Sequence, residues 1–309
     1  MIFVYRTAED KLIFPEAIEK DSWINLVNPT EAELHQVSEA TGLDYDFLKY
    51  PLDDEEIPRV EVEEDQSMII IHAPVISDDD IIYDTIPLGM VANDDFIVTV
   101  CLQDLDLLEE FTGSRIKGIA TFKKTRFIFH TLNRKTTLFL KYLRDINRRT
   151  EKIESELSRS MRNKELLSLL NLQKSLVYFS TSLRYNAKVM NRLLRGKTVK
   201  MYEEDVDLLE DVIVENSQAI EMAEIYSNIS KSTMDAFASL ISNNLSVTMK
   251  LLTAITIILA IPTLVASIWG MNVELPLENA GIMGFGVLMA FMTLITLLAF
   301  IFLKKRDMF

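Results

Sequence analysis

The sequence predicts an α+β cytoplasmic domain, a mixed sheet with flanking helices, followed by a long stalk helix and a two-helix transmembrane hairpin. Three observations carry this reading. β-Branched and aromatic runs bounded by Pro, Asn or Asp recur through the first 112 or so residues. Gly and Pro are then absent from 119–195 and again from 197–261, where helical patterns dominate. Two long uncharged apolar stretches, 251–273 and 279–303, close the chain, and each is long enough to cross ~30 Å of hydrocarbon at about 1.5 Å per helical residue.

Candidate strands are 2–5, 23–27, 68–75, 81–90 and 96–101. A helix is predicted after Asn28-Pro29-Thr30, because Thr30 and Glu33 have the spacing of a capping box and Gly42 supplies the stop. One or two long helices fill 119–195, a turn falls near Gly196, and a helix runs from about Glu203 into the first apolar span. Sixty or more helical residues make a rod of roughly 100 Å, which is not stable alone and needs partners from its own chain or from other copies. The resulting boundaries are 1–118 for the acidic α/β domain, 119–202 for a basic helical hairpin and 203–250 for the stalk. The first membrane helix is 251–272, the external loop 273–280, the second membrane helix 281–303 and the basic tail 304–309.

Of the 309 residues, 49% are hydrophobic and 25% charged, and mean hydropathy is +0.14, which excludes a disordered or collagen-like chain. Cys101 is the single cysteine, so neither an intrachain disulfide nor a thiolate cluster is available. The net charge of −14 is sharply segregated: residues 1–110 carry 28 acids and 5 bases, 111–200 carry 5 acids and 22 bases, and 201–309 carry 13 acids and 5 bases. Blocks of opposite sign neutralise one another within or between subunits, and uncompensated acid concentrates cations. The basic block lacks an aromatic stacking platform or a recognised nucleic-acid module, so no nucleic-acid partner is expected.

The first 25 residues alternate charges such as Arg6, Glu9, Asp10 and Lys11, unlike a secretion signal, and the amino terminus is expected in the cytoplasm. Lys250 precedes the first span and Lys304-Lys305-Arg306 follow the second, while the connection carries Glu274 and Glu278. The positive-inside rule then puts both termini in the cytoplasm and the connection outside, in a multi-pass protein of the cytoplasmic membrane whose partners include the lipid bilayer.

Within the first span, Thr253, Thr256, Ala260, Thr263, Ser267 and Gly270 fall on one stripe of 3-4 spacing, which continues backwards through Met249, Ser246, Ser242, Ser239 and Asp235. In a parallel left-handed bundle such a face turns to the common axis, where hydroxyls and a ring of Asp235 can carry water and cations. Small residues are also the usual material of close helix packing in membranes, and the stripe alone does not separate a pore from packing. Pro262 frees the Ile258 carbonyl, either to kink a pore helix or as a tolerated membrane proline.

After this helix comes Trp269-Gly270-Met271-Asn272. The tripeptide Gly270-Met271-Asn272, followed by a second span and a basic tail, and preceded by an acidic domain and a Gly- and Pro-free rod, resembles the signature of CorA-type divalent cation channels. Pro58-Arg59-Val60-Glu61 is similar to a Pro-Lys-Val-Glu segment in relatives. The resemblance implies a homopentameric funnel that conducts Mg2+, often also Co2+ and Ni2+, through a pore made by the first membrane helix of each copy. Its filter would be Gly270, Met271 and Asn272, with the ion bound by Asn272 through its water. That role is chemically sensible, because Mg2+ releases its octahedral water reluctantly and neutral amide oxygens can hold the hydrated ion. The competing reading of Asn272 is a left-handed helix cap.

Below the filter, Ser267, Thr263, Ala260, Thr256 and Thr253 would line the pore. Met249 and Leu252 would form a constriction that closes by dewetting, and Ser246 and Asp235 would continue the lining. Glu274 and Glu278 would raise cation concentration at the external mouth. In the family, Mg2+ between neighbouring cytoplasmic domains holds the channel closed. Asp211 has the spacing of one sensing carboxylate, but the Glu-Asp pair expected opposite it reads Lys49-Tyr50 here. The acids Asp53-Asp54-Glu55-Glu56 come later, so Asp53 and Asp54 are the substitutes, or else surface acids that keep the domain soluble.

Two rivals remain: a transporter of the same superfamily for Zn2+ or a broad range of divalent ions, and a membrane-anchored oligomeric sensor that transports nothing. His35, His72 and His130 are too scattered for a zinc site, and His72 is expected within a strand. Asp78-Asp79-Asp80 reads as a hairpin loop. No phosphate loop, nucleophile elbow or His-Glu-x-x-His motif is present, so no enzyme is expected.

Overall fold

Period-2 alternation within uniformly apolar strands buries both faces of one sheet, and helices are needed on each side to cover it. The computed structural model describes residues 1–9, 11–77, 83–112, 120–160, 163–196, 198–272, 281–306 and 308. It divides into two units, Met1–Met234 and Asp235–Phe309. In the first unit, the strands are β1 (Ile2–Ala8), β2 (Lys11–Ile13), β3 (Ser22–Val27), β4 (Arg59–Glu63), β5 (Gln66–Ile76), β6 (Tyr83–Ala92) and β7 (Ile97–Cys101). They form a seven-stranded sheet in the order β2-β1-β3-β7-β6-β5-β4. β3 and β7 pair in parallel and all other neighbours are antiparallel, which makes the sheet mixed, as predicted.

One face of the sheet presents Trp23, Ile69, Ile71, Met90 and Ile97, packed with Phe127, Leu132, Met190 and Leu209. The other presents Ile24, Leu26, Met68, Ile70, Val98 and Val100 against Leu34, Val37, Phe47 and Leu48. Two buried polar pairs bridge the central strands: Trp23 Nε1 donates to Thr99 Oγ1 at 2.9 Å, and Thr99 Oγ1 donates to Asn25 Oδ1 at 2.8 Å.

The helices are α1 (Glu31–Thr41), α2 (Tyr45–Lys49), α3 (Asp106–Thr112), α4 (Lys124–Ser160), α5 (Asn163–Arg195), α6 (Glu203–Trp269) and α7 (Gly281–Lys305). α1 starts with the predicted capping box between Thr30 and Glu33, and Gly42 ends it at φ 70°, the left-handed conformation that glycine adopts without strain. The span 119–195 resolves into two helices. α4, α5 and residues 203–234 of α6 share a core of Phe139, Leu143, Ile146, Leu172, Leu176, Phe179, Leu183, Ala219 and Ala223.

A short 3-10 turn, Tyr50–Leu52, lies on the sheet with Pro51 buried. A Cβ built at Gly89 of β6 would stand 2.1 Å from Pro51 Cγ and 2.8 Å from Pro51 Cβ, so this glycine is required by close approach. The hairpin 78–80 lies outside the described residues.

Candidate functional site

The second unit contains residues 235–269 of α6 and all of α7. Both helices are long and apolar enough to cross a membrane, with mean hydropathy 2.4 and 2.6 in their most apolar windows and only 6% of each window buried. So much exposed apolar helix surface calls for lipid or other copies of the chain to cover it. Helix α6 stops at Trp269, a little short of the predicted 272, and the Gly270 and Met271 amides donate back to Ala266 O (3.0 Å) and Ile268 O (3.2 Å).

On the outer surface of α6, Thr256, Ala260, Thr263 and Ser267 lie together with Leu259, Leu264 and Ile268 along a concavity of about 620 Å³. Four residues of the stripe read from 3-4 spacing thus share one open face with three apolar side chains. Two of the hydroxyl protons on it are committed: Thr256 Oγ1 donates to Leu252 O at 2.8 Å and Thr263 Oγ1 to Leu259 O at 2.9 Å. Lower down, Ser246 Oγ donates to Ser242 O and Ser239 Oγ to Asp235 O, each at 3.0 Å. A hydroxyl whose proton points back along the helix offers lone pairs outward, and lone pairs are what the water around a cation requires as acceptors. Thr253, Met249, Leu252 and Asp235 are likewise exposed on α6.

Pro262 lies within the helix. Gly270, Met271 and Asn272 are exposed, and Asn272 is not among the residues at positive φ, so it is not the left-handed cap that competes with a filter role. A Cβ at Gly270 would meet Ala266 O at 3.4 Å, an ordinary contact, so a single chain does not itself demand glycine there. Glu274 and Glu278 lie outside the described residues.

In the first unit, Asp211 is exposed on α6, and Asp53, Asp54 and Glu55 are exposed in the segment after the 3-10 turn. Glu56 is held by Arg59. At the positions where a sensing pair was expected, the Lys49 ammonium lies 3.8 Å from Glu31 and over the Tyr45 ring, while the Arg59 guanidinium lies 4.9 Å above Tyr50. Among the described residues, no three His, Cys, Asp or Glu side chains cluster to hold a metal.

His72 is a strand residue, as predicted, and is tied to the helices. Its Nε2 donates to Glu56 O and its Nδ1 accepts from Ser182 Oγ, both at 2.9 Å. Its backbone exchanges hydrogen bonds with the Asn186 amide at 2.9 and 2.8 Å. Burial lowers its pKa. His35 stacks on Tyr45, and burial pushes the Cys101 thiol up to about 12, so it is no thiolate ligand.

Sequence reading missed Lys135. The signal was there: Ile128, Leu132, Lys135, Phe139, Tyr142 and Ile146 have the 3-4 spacing of a core stripe. Its facing residue, Asn216, stands between the buried Val212 and Ala219 on α6.

The description CorA-like Mg2+ transporter protein fits residues 19–305. The cobalt/magnesium transport protein CorA of Methanocaldococcus jannaschii is 30% identical over 324 aligned positions, covering 99% of each chain. The complete structure of the CorA magnesium transporter from that organism matches with a TM-score of 0.85 and 27% identity, over 99% of this chain and 98% of the other. The ZntB cytoplasmic domain of Vibrio parahaemolyticus shares the fold, with a TM-score of 0.62 and 11% identity over 79% of this chain and 97% of that one. With its mixed sheet, long helix, paired apolar spans and a match over nearly its whole length, the chain belongs to the CorA-like Mg2+ transporter family of divalent-cation transporters.

Proposed function

We propose that the protein is a homopentameric channel that admits hydrated Mg2+ across the cytoplasmic membrane, with its termini in the cytoplasm. The observation that carries this reading is the open face of α6, where the Thr256 and Thr263 protons are spent on backbone carbonyls and these two hydroxyls offer oxygen lone pairs outward. Such a wall accepts hydrogen bonds from the first-shell water of a cation and leaves the inner shell intact. Asn272, exposed just past the end of this helix, supplies an amide oxygen from each copy as the filter, with Gly270 and Met271 supporting it. Ser267, Ala260 and Thr253 extend the wall, Met249 and Leu252 form the apolar gate, and Ser246 and Asp235 line the inner exit. Glu274 and Glu278 enrich cations at the outer mouth. An inside-negative potential drives entry with ~2.3 kcal/mol per charge per 100 mV. Co2+ and Ni2+ share the octahedral hydration that this wall accepts and are alternative cargo.

Closure by cytosolic Mg2+ rests on Asp211, paired across copies with Asp53 and Asp54, because a single chain brings no three metal-binding side chains together among the described residues. Asp211→Ala is expected to abolish the slowing of proteolysis by added Mg2+. Protection equal to wild type would remove Asp211 from any sensing role.

The deciding experiment is flux of Mg2+, Co2+ and Zn2+ into liposomes holding the purified protein, with and without a pH gradient, alongside the mass of the oligomer. Mg2+ entry that ignores the pH gradient, through a pentamer, is expected. Zn2+ entry that depends on the gradient would replace Mg2+ as the cargo, and an absence of flux would leave an anchored sensor.

A further inference from the structure

Lys135 is fully buried, with 0% of its surface exposed, where α4 meets α5 and α6. Among the described residues its Nζ has one acceptor, Asn216 Oδ1 at 3.1 Å, and the Phe139 ring centroid is 5.8 Å away. Asn216 is itself held in place, donating from Nδ2 to Leu183 O of α5 at 3.0 Å. An ammonium has three N–H donors, and here it would bury two of them with a full charge and no carboxylate partner. A neutral amine fits the same space at far lower cost.

We propose that Lys135 is a proton-responsive latch of the α4–α5–α6 bundle, packed as the neutral amine and opened by protonation, which draws the ammonium out to water and loosens α6 from α4.

The surroundings support this. Desolvation alone lowers the Lys135 pKa, to about 7, and no charged group of α4, α5 or α6 contributes. Arg134 and Glu215, sequence neighbours of Lys135 and Asn216, are half-buried. Arg184 of α5 is exposed and paired with Glu224 of α6 at 2.6 Å. Two histidines lie on or against these helices: His130 on α4, acted on by Arg126 and Asp205, and His72 on β5, acted on by Asp84 and bonded to Ser182 and Glu56 O. Burial lowers both histidines from 6.5, so they stay neutral above pH 7.

The sign follows from linkage. The folded pKa of about 7 lies below the ordinary 10.5, so between these values the opened state binds more protons and the packed state gains as pH rises. Over most of that window the packing equilibrium shifts by about tenfold per pH unit. Cys101, raised from 9.0 to about 12, acts in the opposite direction only above pH 9.

The test is hydrogen exchange of the full chain in detergent between pH 7.5 and 9, corrected for intrinsic rates and read at the α4 and α6 amides around Lys135 and Asn216. Wild-type protection is expected to rise by about tenfold per pH unit, and that of Lys135→Met to stay level. Asn216→Asp supplies the missing counter-charge, keeps the ammonium folded in, and is also expected to give a level profile. Lys135→Gln, neutral and polar, serves if the Met variant does not fold. Parallel profiles for wild type and either neutral variant would overturn the latch. Transport is not needed for this readout, so the latch and the channel reading stand or fall separately.

Discussion

Asn272→Ala is expected to lower Mg2+ flux in liposomes by at least roughly 100-fold, because the proposed filter would lose its ring of amide acceptors and each net hydrogen bond is worth about 1 kcal/mol. An ion that keeps its water enters a narrow place only if that water is offered acceptors, and alanine offers none. The fold has little stake in this side chain: Asn272 is exposed and lies outside the left-handed region that would need an asparagine. Oligomer mass and melting temperature are therefore expected to match wild type, which separates a filter defect from an assembly defect. Flux within twofold of wild type would remove the amide from selection altogether.

Gly89→Ala is expected to be the most damaging single methyl group in the sheet. The new Cβ would lie 2.1 Å from Pro51 Cγ, and a buried proline ring has no rotamer by which to withdraw. Either β6 or the 3-10 turn must shift, at a cost of about 3 kcal/mol, the upper part of the overpacking range. With a domain of this size losing about 2–4 °C per kcal/mol, melting is expected to fall by about 10 °C. Adding Pro51→Gly removes the obstructing ring and is expected to recover a good part of the loss. A single mutant melting within 1–2 °C of wild type, about the measurement scatter of a ΔΔG under 1 kcal/mol, would show that the turn is not pressed against β6. The same turn leads into Asp53 and Asp54, so its seating also positions the acidic segment.

What the sequence revealed and what it hid divide along physical lines. Strands β3, β5, β6 and β7 announced themselves because both faces of the central sheet are buried and their residues are almost uniformly apolar. β4 and β2 went unread because they are the sheet's edges: Arg59-Val60-Glu61-Val62-Glu63 is charged and partly exposed, the usual defence of an edge against pairing with strangers. The α1 start was legible to the residue, since capping chemistry is local. The end of α6 was overestimated because uncharged composition continues past Trp269, while the last helical i→i−4 bond is that of Gly270 and the Met271 amide already makes a tighter i→i−3 bond.

The stripe on α6 was legible as spacing, yet the direction of its hydroxyl protons was not, since that depends on rotamers. Lys135 was hidden by its own chemistry. Lysine is so seldom buried without a partner that its place in an apolar stripe is easily passed over, and only the facing Asn216 explains it.

The pinned hydroxyls of α6 also bear on speed. In the proposed pore, the fixed Thr256 and Thr263 rotors would have no torsional relaxation to complete as a charge slides by, so the drag beside them would come from the reorientation of the ion's own hydration shell. Throughput there would follow the mobility of confined solvent, with these two side chains as fixed guides.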